Sequence, residues 1–163
     1  MMKRTHWGIA LLVLASAPEA RAEDKPSSKD LKALFEKAEE LELYSLDPAP
    51  DIKDQDAKVG FHGWKVLGKT TIKEAKTRKK VIEALYKGLA ESDGTVAKCF
   101  IPRHGIRATT GGKTADVVIC FECLQTQFHV GAASSTEATT ASPQKLIDEV
   151  LTAAGVPLAP KKK

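Results

Sequence analysis

The residues of this 163-residue chain whose types and spacing could do chemistry are three cysteines, Cys99, Cys120 and Cys123, and the run Arg103-His104-Gly105-Ile106-Arg107. Thiolates are nucleophiles, disulfide formers and soft metal ligands, whereas guanidinium groups grip carboxylates and phosphates through paired hydrogen bonds. Cys120 and Cys123 have the CxxC spacing of redox dithiols, but Val117, Val118, Ile119 and Phe121 around them are strand formers. In an extended chain, residues three apart point to opposite faces, so a Cys120–Cys123 disulfide would need the strand to break. Adding His104 gives Cys99, His104, Cys120 and Cys123, enough donors in number for tetrahedral zinc. Their spacing is irregular and export disfavours unprotected thiolates, so no metal and no cofactor is favoured. The sequence also lacks a Ser/His/Asp spacing, an HExxH motif and a phosphate-binding glycine loop, which leans away from an enzyme.

An oxidising compartment turns two nearby thiols into a disulfide and leaves the third over. The Gly111-Gly112 hairpin sets the register. With a three-residue loop, Thr109 faces Lys113 and Cys99 comes opposite Cys123; a bulge at Pro102-Arg103-His104-Gly105 would bring Cys99 opposite Cys120 instead. Both pairings stay open on the sequence.

Arg103, His104 and Arg107 are the candidate ligand-binding residues. Pro102 removes a ladder donor and Gly105 permits an unusual backbone angle, so the chain should bend there and present two guanidiniums and an imidazole to an anion. The competing expectation is structural, with the arginines paired to Asp116 or Glu122. Lys73, Lys76, Lys80 and Lys87 share one side of a predicted helix and read as a solvated face. His62 and Trp64, two apart on a predicted strand, read as a packed Trp with a His at its rim.

The elements that must position these groups follow from periodicity. Helical spacing predicts a helix over 29–40, and a switch to shorter period predicts a strand over 41–46. A strand is expected within 59–68. Thr71-Ile72-Lys73-Glu74 fits a capping box that opens a helix ended by Asp93-Gly94. Residues 95–101 read as a strand, 106–109 as another, and 114–130 as one long strand apolar on both sides near its middle, hence covered on both faces. Residues 131–141 are small and hydroxyl-rich and read as a flexible loop. Ser142 as N-cap, Pro143 at N1, and Gly155 before Pro157 delimit a closing helix. The fold class expected is α+β, order αββαβββα, with a mainly antiparallel sheet of about five strands and two or three packed helices.

Lys3 and Arg4, the apolar run over 7–17 and Ala20-Arg21-Ala22 form a secretory signal peptide over 1–22, cleaved after Ala22. The apolar run falls short of the ~20 residues that span a bilayer, and no Cys adjoins the cut, so no stable membrane anchor is expected after cleavage. The rest divides into a polar lead-in over 23–28, a single α+β domain over 29–157 and a basic tail over 158–163. The chain carries 25 Lys and Arg against 21 Asp and Glu, with 42% hydrophobic residues. Much of that small excess sits in the leader and in Lys161-Lys162-Lys163, so the body has no electrostatic footprint for nucleic acid.

The run Cys99-Phe100-Ile101-Pro102-Arg103-His104-Gly105-Ile106-Arg107, followed by Asp116-Val117-Val118-Ile119-Cys120-Phe121-Glu122-Cys123, resembles a pattern carried by a family of small exported bacterial proteins with no known activity. The resemblance covers about residues 43–130 and the Ala154-Gly155-Val156-Pro157 ending. It implies export and brings no catalytic or binding role. The expectation is therefore an exported, periplasmic or extracellular, non-catalytic module that binds a partner protein or small anionic ligand through the Arg103–Arg107 turn. The alternative is a periplasmic thiol- or metal-dependent enzyme using Cys120, Cys123 and His104.

Overall fold

Alternating strand-forming segments build a six-stranded, fully antiparallel sheet in the computed structural model, which describes residues 25–49 and 60–160. The expected leader, most of the charged loop over 49–58 and the terminal lysines lie outside the described residues. In chain order the elements are α1 (Ser28–Glu36), β1 (Glu40–Leu46), β2 (Val66–Thr71), α2 (Ala75–Ala90), β3 (His104–Thr110), β4 (Lys113–Cys120), β5 (Gln125–Val130), β6 (Ala133–Ala138) and α3 (Gln144–Ala153). The sheet order is β2-β1-β3-β4-β5-β6. The fold is α+β, with three helices as expected and six strands rather than about five. No helix among the described residues is long and apolar enough to cross a membrane.

Strand alternation divides the side chains between two faces. One face carries Leu41, Leu43, Ile106, Ala108, Val117, Ile119 and Phe128 into the main core, where they meet Leu31 and Phe35 of α1, Val81 and Leu85 of α2, and Ile147 and Leu151 of α3. On the opposite face Tyr44, Leu46, Val118 and Phe61 form a smaller cluster with Trp64, Val66 and Phe100 packed against it. Val118 and Val117 are both fully buried, so the two-sided apolarity of this stretch does mark a strand covered on both faces.

Several boundaries differ from expectation for identifiable reasons. Residues 95–101 form no strand: the Thr95 N–H is taken by Asp93 Oδ1, and only the Ala97 N–H reaches across, to the Cys123 carbonyl. The expected long strand over 114–130 breaks at Phe121–Leu124, where Leu124 adopts φ +55°, and folds back as the β4–β5 hairpin. The segment over 131–141 contains β6, which turns at Gly131 (φ +57°) and pairs along β5. Its residues are too small to display hydrophobic alternation, yet Glu137 reaches inward to accept from the Ser28 N–H and hydroxyl, both at 2.6 Å.

The capping box does not form. Thr70 and Thr71 pair with Leu43 and Glu42 as part of β2, so α2 starts at Ala75 and the Glu74 side chain accepts from Thr77 Oγ1. Helix α1 ends at Glu36 rather than near residue 40, and β2 lies at 66–71 rather than 59–68. Before β2 the chain makes a tight turn, Phe61 to Trp64, with His62 and Gly63 at φ +51° and +84°. The Gly111-Gly112 hairpin has a two-residue turn with both φ positive, so Thr110 faces Lys113 and the three-residue register is replaced. In α3, Pro143 occupies the N-cap and Gln144 opens the helix. Its end is as read: Gly155, at φ +73°, donates to the Thr152 carbonyl, and the Val156 N–H reaches Leu151 O.

Candidate functional site

Arg103, His104 and Arg107 do not converge. Successive strand residues alternate, so His104 and Arg107, three apart on β3, lie on opposite faces of the sheet. His104 is buried on the helix face, where its Nε2 meets Asp148 Oδ1 of α3 at 2.7 Å. Arg103 precedes the strand. Its Nη1 pairs with Glu122 Oε1 at 2.8 Å and its Nε donates to the Pro160 carbonyl. Both arginines thus have the acid partners that the structural expectation named. Nor does Gly105 bend the chain. It sits in register opposite Tyr44 and Val118, and a Cβ there would lie 2.6 Å from Phe61 Cε1, so the glycine makes room for the Phe61 ring.

Arg107 belongs to a polar constellation on the face without helices. Its Nε and Nη2 donate to the two carboxylate oxygens of Asp116 at 2.8 and 2.7 Å, a fork-to-fork pair set by direct cross-strand register. Its guanidinium carbon lies 5.3 Å from the centre of the Phe61 ring and 5.9 Å from that of Tyr44. The Tyr44 and Phe61 rings stack at 4.2 Å. His62 Nε2 also bonds Asp116 Oδ2, at 2.7 Å, and its ring stacks on His129 at 3.8 Å. Beyond Tyr44, its hydroxyl donates to Glu42 at 2.6 Å, and Lys69 pairs with the other Glu42 oxygen.

The electrostatics follow from these partners. Burial alone would raise the Asp116 pKa, but hydrogen bonds from Arg107 and His62 outweigh it and hold the carboxyl below its ordinary range. Glu42 is likewise lowered by Lys69 and Tyr44 against the opposing effect of burial. Burial, and then donation to Glu42, push the Tyr44 hydroxyl far up, so it is a neutral donor at any physiological pH. His129 is pushed down by burial and by the charge His62 can carry. Among the described residues nothing accepts from Arg107 Nη1, and the side chain is 39% exposed. The constellation therefore offers donors already oriented by a buried carboxylate.

Glu42, Tyr44 and His129 were missed by sequence reasoning, and His62 was read as a rim residue beside Trp64. Trp64 does pack, on Phe100 at 6.3 Å, and His62 is at the rim, but the two lie in a turn rather than on a strand and His62 turns to Asp116. Asp116, which heads the apolar run Val117–Cys120 of β4, was the signal in view, since a carboxylate buried there must be paired.

The cysteines form a second cluster at the end of the sheet. Cys120 closes β4, Cys123 sits in the turn before β5, and Cys99 lies in the segment that crosses that turn. The three sulfurs lie within 4.8 Å of one another. The Cα atoms of Cys99 and Cys123 are 5.8 Å apart and those of Cys120 and Cys123 5.2 Å, both within the span a disulfide bridges. Cys123 is thus placed to bond either neighbour. Of the two pairings left open for Cys99, the one with Cys123 has its Cα atoms at bridging separation, though Cys99 lies outside the β3–β4 ladder that was to impose it. The strand break required for Cys120–Cys123 is present too. His104 is not part of this cluster, since its Nε2 is committed to Asp148, and the four-ligand set reduces to three sulfurs. Of the expected lysine face, Lys73 precedes α2, while Lys76, Lys80 and Lys87 are exposed along it and Lys87 pairs with Glu91 one turn on, as a solvated face does.

No protein-family model, curated protein or solved structure matches this chain.

Proposed function

We propose that the protein is an exported module whose open sheet face around Arg107 and His62 is a non-catalytic binding site for a small anionic ligand or the carboxylate of a partner. The carrying observation is the fork-to-fork Arg107–Asp116 pair. It fixes the guanidinium plane while leaving Nη1 unspent, and a preoriented donor loses little freedom on binding. His62 beside it supplies a second ring nitrogen, and the aromatic rings of Phe61 and Tyr44 wall one side. This moves the anion grip from the Arg103–Arg107 turn, where Arg103 is engaged by Glu122, to the face that Arg107 shares with Asp116.

Among the described residues of the cluster, Tyr44 is held neutral against Glu42 and the other polar side chains are carboxylates, imidazoles and cations, which supports binding over catalysis. The test is a titration of labelled protein with a panel of mono- and dicarboxylates and inorganic phosphate, followed by nuclear magnetic resonance. Saturable shifts confined to Arg107, His62 and His129, weakened about tenfold or more in His62→Asn, are expected. Absence of saturable shifts with every anion, or shifts clustered at Arg103 instead, would overturn the assignment.

A further inference from the structure

Three sulfurs within 4.8 Å cannot all be paired, because each forms one disulfide at a time. Cys123 is the shared member, at bridging separation from Cys99 on one side and Cys120 on the other. The three differ sharply in access: Cys99 is exposed, whereas Cys120 and Cys123 are 1% and 0% exposed. The segment bearing Cys99 is strapped to the turn. Ala97 N–H donates to the Cys123 carbonyl, and the Gln125 amide donates to the carbonyls of Ala97 and Cys99. The Cys123 backbone N–H points at Cys120 Sγ, 3.1 Å away, and holds that sulfur against the turn.

We propose that Cys99, Cys120 and Cys123 are a thiol–disulfide relay in which exposed Cys99 exchanges with accessible disulfides and passes the bond inward to Cys120 and Cys123. Starting from three thiols, the Cys99 thiolate attacks one sulfur of an external disulfide, forms a mixed disulfide and releases the other sulfur as a thiolate. Cys123 then attacks Cys99 Sγ, releasing the second external thiolate and forming Cys99–Cys123. Cys120 next attacks Cys123 Sγ, which forms Cys120–Cys123 and returns Cys99 as a thiolate. The external disulfide has gained two electrons and two protons, and Cys120 and Cys123 have supplied both. Each transfer is reversible, so an external thiol reads the stored bond out by the same path. Direct attack on the buried pair is blocked by the protein around it, which makes Cys99 the port.

The test uses the reduced, folded protein and limiting oxidised glutathione under anaerobic conditions, with rapid alkylation and peptide mapping. A glutathione adduct on Cys99 should appear first, then Cys99–Cys123, then Cys120–Cys123 with the alkylatable thiol shifting from Cys120 to Cys99. Cys120→Ser should stop the sequence at Cys99–Cys123. Cys99→Ser, whose site is exposed and whose fold is checked by its melting temperature, should slow glutathione release at least about tenfold. An equally fast Cys99→Ser, a Cys99–Cys123 bond that never migrates, or a zinc ion retained by the reduced protein that silences all three thiols would each overturn the relay; the last would make the cluster a metal site.

Discussion

Two histidine–aspartate pairs stand on opposite faces of the same sheet, each closed at 2.7 Å, and they are built in reverse. In His104–Asp148 the imidazole is sunk, 5% exposed, and the carboxylate sits at the rim at 30%; in His62–Asp116 the carboxylate is sunk at 8% and the imidazole is at the rim at 25%. The first ties α3 to the strand beneath it, with the imidazole 5.1 Å from the Phe121 ring. The second ties a tight turn to β4 and shares its carboxylate with Arg107. What is buried decides what the pair can do. A sunk imidazole whose Nδ1 has no partner among the described residues is a fastening, whereas a sunk carboxylate holds cationic donors outward and leaves them available.

If the helix face is architecture, its damage should be the largest. Phe128→Ala removes a fully buried ring from under the helices and is expected to cost about 3–5 kcal/mol in urea unfolding. A loss near zero would mean that this face is not the stabilising one. A smaller effect is expected opposite. Arg107→Ala leaves Asp116 with His62 alone, and because the arginine is partly solvated the loss should be about 1–3 kcal/mol at pH 7. Its pH dependence has a definite sign. A carboxyl held below its ordinary value contributes stability above that value and loses it as pH falls through the folded one, so the deficit of the variant should shrink in acid. A deficit that is constant down to pH 2 would separate Arg107 from the Asp116 titration.

The finest distinction lies in His129, beside His62 and Asp116. Its folded pKa lies below the ordinary 6.5, so the folded state favours the neutral ring. Its contribution is intact above pH 6.5 and declines as pH falls toward the folded value. His129→Gln should flatten the drop in melting temperature between pH 7.5 and 5.5, by less than about 1 kcal/mol. An unchanged slope would assign that drop to other groups.

Some local signals hold, while the capping box at Thr71–Glu74 yields to strand pairing in β2. Gly111-Gly112 turns a hairpin, Gly155 stops a helix, and the doubly apolar stretch around Val118 is the buried strand. Signals that rested on absence fared worse. The segment holding β6 lacks large side chains, and the break at Phe121–Leu124 is made by a leucine at positive φ, a position where glycine or asparagine would have marked a turn. Of the Arg107 constellation only the pairing of an arginine with Asp116 was legible. Glu42, His62, Asp116 and His129 come from four separate segments: the register of β1, β3, β4 and β5 brings Glu42, Asp116 and His129 to one face, and the tight turn before β2 adds His62. The cysteine cluster was half legible: its members and one pairing were readable, but their meeting at one shared sulfur depends on the hairpin that the sequence reading ran through as a continuous strand.

The inward carboxylate of Glu137 bears on self-association. β6 is an edge strand, and its outer row of peptide groups is a ready template for a strand from another molecule. A hydroxyl-rich strand with few bulky residues is poorly anchored by packing, so it could slip or peel to accept such a partner. Glu137 opposes this by bonding the first turn of α1, which places a negative charge at the positive end of that helix and fastens the start of α1 to the rim of the sheet. Detaching the edge would strip the carboxylate of both partners at once, so the bond guards the molecule against polymerising through its own rim.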